Sequence, residues 1–191
     1  GLTATPERGD GENVQKYFDY RVAHELRLWD ALRLQLLVPM HYYGIADGTD
    51  LSSLTWIRGK KDYNSRELSE FYIKAGEKRT RFIINELNRR IFDLSEMKAI
   101  GFCVTIAHAK YMATQFQQFG IPARAVTNEL SAVERAQAIR ELEAGEGKVL
   151  FSVDIFNEGI DIPAVNTLLL LRPTQSPVVF LQQLGRRLRL S

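Results

Sequence analysis

A group of polar residues near the end of the sequence has the types and spacing needed to hold a polyanion. Ser176-Pro177 predicts the start of a helix, because serine caps a helix and proline suits its first turn. On a helix that continues from there, Gln182, Arg186 and Arg189 stand at i, i+4 and i+7 and share one face. Arginine is always charged and donates from a rigid fork, so this face suits the oxygens of phosphate groups.

Two short apolar segments precede that helix and have the length of β-strands. Residues 148–153 and 167–171 show no clean polar alternation, which favours strands buried on both faces of a parallel sheet. Asp154 follows the first segment directly, and Gly159 and Asp161 come soon after it. We expect these polar residues to lie where the strands end.

Strand and helix patterns also alternate upstream of this region. Residues 100–106 predict a strand, and Thr105 can cap the helix that follows. Residues 124–127 predict another strand, and Ser131–Glu134 is a capping box for a helix that runs to about residue 143. This alternation predicts right-handed crossovers and an α/β fold with a parallel sheet.

The first half of the chain carries weaker patterns. They predict a short helical piece at 12–18, a strand at 20–22, an amphipathic helix at 24–37, a strand at 38–46, an ordered polar excursion at 47–65, and helices at 66–74 and 77–92. The last helix carries several basic residues, namely Lys78, Arg79, Arg81, Arg89 and Arg90. A solvated helix face is the favoured interpretation, and a patch that meets nucleic-acid phosphates is the alternative.

Four segments together resemble superfamily 2 helicases. QQLGRRLR resembles motif VI of that family, SVDIFNEGIDIP resembles motif V, residues 99–116 resemble the motif IV strand and helix, and the opening LTATP resembles motif III. Their order along the chain is that of the family. The resemblance implies a RecA-like three-layer α/β/α domain with a mainly parallel sheet, which is the second lobe of the motor.

The resemblance also implies roles in ATP hydrolysis. Arg186 and Arg189 would be arginine fingers, and Gln182 would reach the terminal phosphate or the attacking water. Gly159 would let the backbone approach the nucleotide, and Asp161 would lie near the ribose. The sequence has no G-x-x-x-x-G-K-[ST] loop and no acidic D-E pair of the helicase type, so ATP would be used with Mg²⁺ held by the missing first lobe. The isolated chain is therefore expected to be inactive.

The same resemblance places a nucleic-acid backbone along the strand ends. The residues implied are Thr105, His108, Thr127, Asn128, Ser152, Val153 and Asp154. Helix capping or turn formation explains Thr105 and Thr127 equally well, and both roles can hold together. Motifs V and VI resemble bacterial restriction-type translocases more than DEAD-box proteins, so DNA is favoured over RNA, and binding is expected to be independent of sequence.

Composition and chain organisation set the remaining expectations. The chain has 191 residues, a net charge of +2 and one cysteine, so any polyanion site must be local and an internal disulfide is excluded. No apolar run of about 20 residues and no signal peptide is present, which favours a cytoplasmic protein without a membrane partner.

We expect residues 1–12 to carry motif III and an interlobe linker in which Thr3 and Thr5 couple the lobes. Residues 13–95 would form the N-terminal part of the second lobe, with a helical excursion, and residues 96–191 would form the core of its RecA-like domain. The alternative to a motor lobe is a non-catalytic α/β module that binds anions or serves as a scaffold.

Overall fold

The computed structural model describes residues 14–26, 28–37, 39–58, 62–153 and 162–173, in two separate units. The described residues before Tyr43 belong to one unit, and Tyr43–Pro173 is the other. The first unit has a 3-10 helix at Val14–Phe18 and helix α1 at Leu28–Arg33. Helix α1 is shorter than predicted, and Gln35 just beyond it has a left-handed φ of 55°.

Two predicted strands in the first half of the chain are wrong. Residues 20–22 do not form a strand, and Tyr20 has a φ of 56°, which is incompatible with extended backbone. Residues 39–46 have no paired strand within the described part of the chain, and Tyr42 and Tyr43 are exposed. An apolar, tyrosine-rich run becomes a strand only when another strand pairs with it.

The second unit is built on a four-stranded sheet in the order β4-β5-β3-β6. The strands are β3 (Ala99–Phe102), β4 (Ala123–Val126), β5 (Val149–Ser152) and β6 (Thr167–Leu170). Every pairing is parallel, with Ala99 opposite both Val149 and Thr167. The predicted parallel sheet is confirmed.

Helices cover both faces of this sheet. One face packs against α2 (Ser65–Arg90) and α3 (Ile106–Gln118), through a core that includes Met112, Phe116 and Phe151. The other face packs against α4 (Ala132–Ala144), through a core that includes Leu142 and Leu150. Strand residues alternate between the two cores, as the two-residue period of a pleated strand requires. The three-layer α/β/α architecture is therefore confirmed.

The described parts of the predicted excursion, at 47–58 and 62–65, form an ordered structure. Strands β1 (Trp56–Ile57) and β2 (Asp62–Tyr63) form an antiparallel pair, and the Trp56 and Tyr63 rings meet edge to face. Helix α2 is broken at Gly76, whose φ of 64° suits glycine, so the two predicted helices meet there. No helix in the described ranges has the length and apolar character needed to cross a membrane.

Local capping signals in the second half are confirmed. Thr105 is the N-cap of α3, and Ser131 with Glu134 forms a complete capping box at the start of α4. Gly145 adopts a left-handed φ of 81° directly after α4. Residues 145–148, with the sequence GEGK, therefore connect this helix to strand β5. Cys103 is buried, and burial raises the pKa of its thiol, so it is held as a neutral side chain of the core.

Candidate nucleic-acid interface

The carboxyl ends of three neighbouring strands meet at one edge of the sheet. Phe102, Val126 and Ser152 are the last residues of β3, β4 and β5, and they lie in register with one another. The described members of the predicted nucleic-acid set lie at these ends or shortly after them, at 105 and 108, 127 and 128, and 152 and 153. The structure thus brings these six residues to the same edge of the sheet.

Thr105 is the best-defined side chain at this edge. It is half-buried, and its Oγ1 accepts a hydrogen bond of 3.2 Å from the backbone N–H of His108. The same oxygen lies 2.6 Å from the hydroxyl of Ser69, which α2 contributes from 36 residues earlier in the chain. The expected capping role of Thr105 is therefore present, and its hydroxyl also joins α2 to α3.

His108 lies inside the protein beneath this edge. Its side chain is 0% exposed, and its Nδ1 accepts a hydrogen bond of 3.3 Å from the Val104 backbone N–H. The neutral ring therefore carries its proton on Nε2, for which the described residues supply no partner. Burial, and secondarily the charge of Arg79, lower the pKa of His108 to about 4, so the imidazole is neutral at physiological pH.

The segment after β4 is held by polar contacts of its own. Thr127 is 2% exposed, and its Oγ1 accepts a hydrogen bond of 3.3 Å from the Glu129 N–H, as in a local turn. Asn128 is exposed, and Lys110 of α3 pairs with Glu129 at 2.6 Å. This ion pair ties the turn after β4 to α3, the helix that Thr105 caps.

The end of β5 is largely internal. Ser152 is 0% exposed, and its carbonyl accepts a hydrogen bond of 2.7 Å from the Cys103 N–H. Val153 is half-buried and packs on the core beneath α2 and α3. Six further predicted residues after Val153, namely Asp154, Gly159, Asp161, Gln182, Arg186 and Arg189, lie outside the described residues, as do Thr3 and Thr5.

A second polar cluster, which the sequence did not indicate, lies behind this edge. Asp47 accepts a hydrogen bond of 3.1 Å from Arg79, and the Arg79 guanidinium stacks on the Tyr72 ring. Tyr72 in turn packs against His108. Tyr72 and Arg79 are seven residues apart, a spacing that places two side chains on the same face of a continuous helix and could have predicted their contact. The break of α2 at Gly76 lies between them, so the helix pattern alone did not predict it.

The basic residues of α2 are mostly neutralised within the helix. Arg81 pairs with Glu77, and both Arg89 and Arg90 pair with Glu86. These pairs favour a solvated helix face over a phosphate-binding patch. No group of three His, Cys, Asp or Glu residues that could hold a metal ion occurs in the described ranges.

Sequence comparisons identify the family and several relatives. Residues 80–191 match the model of the helicase conserved C-terminal domain. A 51.5 kDa protein of a Lactococcus phage is 29% identical over 189 residues, which are 99% of this chain and 40% of that protein. The IRC3 protein of Saccharomyces cerevisiae, provisionally named an ATP-dependent helicase, is 31% identical over 145 residues, which are 76% of this chain and 19% of IRC3.

A comparison with solved structures also finds similar chains. The structure of S. cerevisiae Dbp5 bound to RNA and ADP BeF3 matches with a TM-score of 0.48 and 24% identity, over 58% of this chain and 29% of that one. The chain spans well under half the length of the curated relatives described above. The family model covers more than half of the chain, including the sheet and the helices α3 and α4 beside it. The chain therefore belongs to the helicase conserved C-terminal domain family.

Proposed function

We propose that this chain is the second motor lobe of an ATP-dependent nucleic-acid helicase or translocase. In this role it supplies arginine fingers and a surface for the nucleic-acid backbone, and it is inactive without the first lobe. The observation that carries the proposal is the family match over residues 80–191, which contains the strand ends and the predicted fingers. In the relatives the matched region is part of a longer chain, which supports a motor whose other half lies elsewhere in the parent.

The proposed ATP site is shared between two lobes. Arg186 and Arg189 stabilise the charge that develops on the transferred phosphoryl group, and Gln182 reaches the terminal phosphate or the attacking water. Gly159 and Asp161 contact the nucleotide, with Asp161 at the ribose. The first lobe holds Mg²⁺ and the phosphate-binding lysine. These roles rest on the motif resemblance, since the five residues lie outside the described ranges.

The proposed nucleic-acid surface runs along the carboxyl edge of the sheet. Hydroxyls and amides at strand ends and helix starts suit phosphate oxygens, and such contacts read no base sequence. Thr105 and Asn128 lie at this edge with partial or full exposure. DNA is the preferred partner, on the evidence of motifs V and VI. Residues 1–12, with Thr3 and Thr5, connect the lobes in this proposal, and residues 96–191 form the core of the lobe.

Phosphate release from ATP tests the ATP side of the proposal. The purified chain of 191 residues should release no phosphate above a mock purification, with or without single-stranded DNA. In the full-length parent, Arg186→Ala or Arg189→Ala should lower turnover by about 10³–10⁵, with a much smaller change in ATP affinity. Asp161→Ala should instead weaken nucleotide binding. Arg140→Ala, an exposed arginine on α4, is the matched control and should leave turnover unchanged.

Three results would contradict this assignment. Phosphate release by the isolated chain would show that a complete ATP site lies within it. Near-normal turnover in both finger variants would remove Arg186 and Arg189 from the site. A full-length parent without any ATPase activity would favour the alternative, a non-catalytic module that binds anions.

A further inference from the structure

Ser69 contacts the proposed nucleic-acid surface from outside the matched family domain. It lies in the first half of α2, before residue 80, where the family match begins. The Ser69 residue is 4% exposed, and its Oγ lies 2.6 Å from Oγ1 of Thr105. This distance is that of a short hydrogen bond between two hydroxyls.

The hydrogen-bond capacity of the two hydroxyls sets the direction of this bond. A hydroxyl has one hydrogen to donate and two lone pairs that accept. Ser69 is buried, and within the described residues Thr105 is the acceptor that its hydrogen can reach. Thr105 is half-buried, so its own hydrogen can reach a partner at the surface. Both hydroxyls therefore find the most hydrogen-bond partners when Ser69 donates to Thr105.

We propose that Ser69 is a positioning residue, which donates its hydrogen to Thr105 and thereby turns the Thr105 hydrogen outward toward a backbone phosphate. The proposal rests on the proposed function of this edge as a nucleic-acid surface. Thr105 Oγ1 already accepts from the His108 N–H, so the bond from Ser69 fills its second lone pair. The outward hydrogen is then the one hydrogen-bonding group of the Thr105 hydroxyl that is still unused.

This arrangement selects the chemistry of the ligand. A hydroxyl with both lone pairs filled can donate a hydrogen bond but cannot accept one. Thr105 therefore binds an acceptor, such as a phosphate oxygen, and has no capacity for an amino group of a base. The preference holds for every nucleotide, since each carries the same phosphate, so it matches binding that ignores base sequence.

A double-mutant cycle on oligonucleotide binding tests this role. The probe is a labelled single-stranded oligothymidylate at low salt, titrated with the full chain of 191 residues. Ser69→Ala keeps the helix, because alanine is the best helix former, and should weaken binding about two- to tenfold, the effect of one hydrogen bond. In a Thr105→Val background the same change should have no effect, since the outward hydroxyl is already gone.

Two further variants separate positioning from simple packing. Thr105→Ser keeps the hydroxyl and the cap, so it should bind as the unchanged chain does and retain the loss caused by Ser69→Ala. It also keeps the test decisive should Thr105→Val fail to fold, which thermal unfolding of each variant would reveal. Thr80→Ala removes another buried hydroxyl from α2, away from Thr105, and should leave binding unchanged.

The outcomes distinguish this inference from the function on which it rests. If Ser69→Ala lowers the affinity for the oligonucleotide equally with and without Thr105→Val, the positioning role is overturned but the nucleic-acid surface is not. No loss from Ser69→Ala in the Thr105→Ser background would overturn it as well. If the unchanged chain fails to bind the probe at low salt, the nucleic-acid surface itself is overturned, and the inference with it.

Discussion

The Arg79 guanidinium lies over the Tyr72 ring, with its central carbon 3.9 Å from the ring centroid. The side chain of Arg79 is only 13% exposed, and its Nε donates to Asp47. Burial raises the pKa of Asp47, but hydrogen bonds from Thr49 and the charge of Arg79 outweigh burial and hold the pKa below its ordinary value. The guanidinium of Arg79 therefore forms an ion pair within the protein, and this pair holds the loop at Asp47 to α2.

Replacement of Arg79 should destabilise the unit that contains the sheet. Arg79→Ala removes the stacked guanidinium and leaves the partly buried Asp47 carboxylate without its cation, which should cost about 1–3 kcal/mol. The matched control is Arg81→Ala on the same helix, whose ion pair with Glu77 is more than half exposed on both sides. That change should stay within about 0.5 kcal/mol, as for most exposed pairs. Urea unfolding of both variants measures the difference, and equal effects would show that the Asp47–Arg79 pair contributes nothing.

The buried His108 should make stability depend on pH. Its pKa in the folded chain is about 4, whereas an unfolded histidine has a pKa of about 6.5. The unfolded chain therefore binds more protons between these values, so stability is full above about pH 6.5 and falls as the pH is lowered toward 4. The loss should approach about 1 kcal/mol per pH unit below about pH 6.

Two variants identify the source of this pH dependence. His108→Asn removes the titrating ring but keeps an oxygen acceptor for the Val104 amide, so its unfolding free energy should change less between about pH 7 and 5. Gln118→Asn replaces an exposed residue of α3 that carries no titrating group, and it should keep the profile of the unchanged chain. A profile for His108→Asn as steep as that of the unchanged chain would mean that other groups titrate in this range.

Local signals in the second half of the chain predicted its elements well. The capping box at Ser131 and Glu134 depends on residues only three positions apart, so the sequence carries it directly. The apolar run of β5 is fully buried, as its composition predicted. Strand β6 was expected to be buried in the same way, but only Leu169 of its four residues is buried, because β6 is the last strand of the described sheet and pairs on one side only. The structure confirms these elements to within one or two residues.

Features that depend on distant partners could not be predicted. The segment 38–46, wrongly predicted as a strand, has the composition of one. A strand also needs a second strand to pair with, and the periodicity of a segment does not show whether such a partner exists. The contact between Ser69 and Thr105 joins two helices, and nothing in the pattern around Ser69 distinguishes it from a surface serine. The sequence predicted that the candidate residues gather at the strand ends, because parallel strands finish at the same edge of a sheet.

A close packing contact in the sheet makes Gly101 sensitive to substitution. A Cβ at Gly101 of β3 would overlap the ring of Phe151 on the neighbouring strand β5. Phe151 is 0% exposed and packs edge to face on Phe116, so it has little room to move. Gly101→Ala should therefore destabilise the unit by about 1–3 kcal/mol in thermal unfolding.

Gly44→Ala is the control for that substitution. A Cβ at Gly44 would meet no atom within 4 Å, and its backbone does not require glycine. Its unfolding midpoint should stay near that of the unchanged chain. If Gly101→Ala unfolds at the same midpoint as Gly44→Ala, then Phe151 moves aside without cost and the packing argument is wrong.

The exposed arginines of α2 should contribute nothing to the salt dependence of nucleic-acid binding. Each phosphate contact adds about 0.9 to the slope of log affinity against log salt on duplex DNA, or about 0.7 on single strands. Arg81 and Arg89 are mostly exposed and pair with Glu77 and Glu86, so Arg81→Ala combined with Arg89→Ala should leave the slope unchanged. Thr105→Ala and Thr127→Ala should instead weaken binding. Arg79 is left in place because its loss would destabilise the fold. A slope that falls by about 1.4 or more on single strands in the double arginine variant would show that α2 binds phosphates and that its ion pairs open to do so.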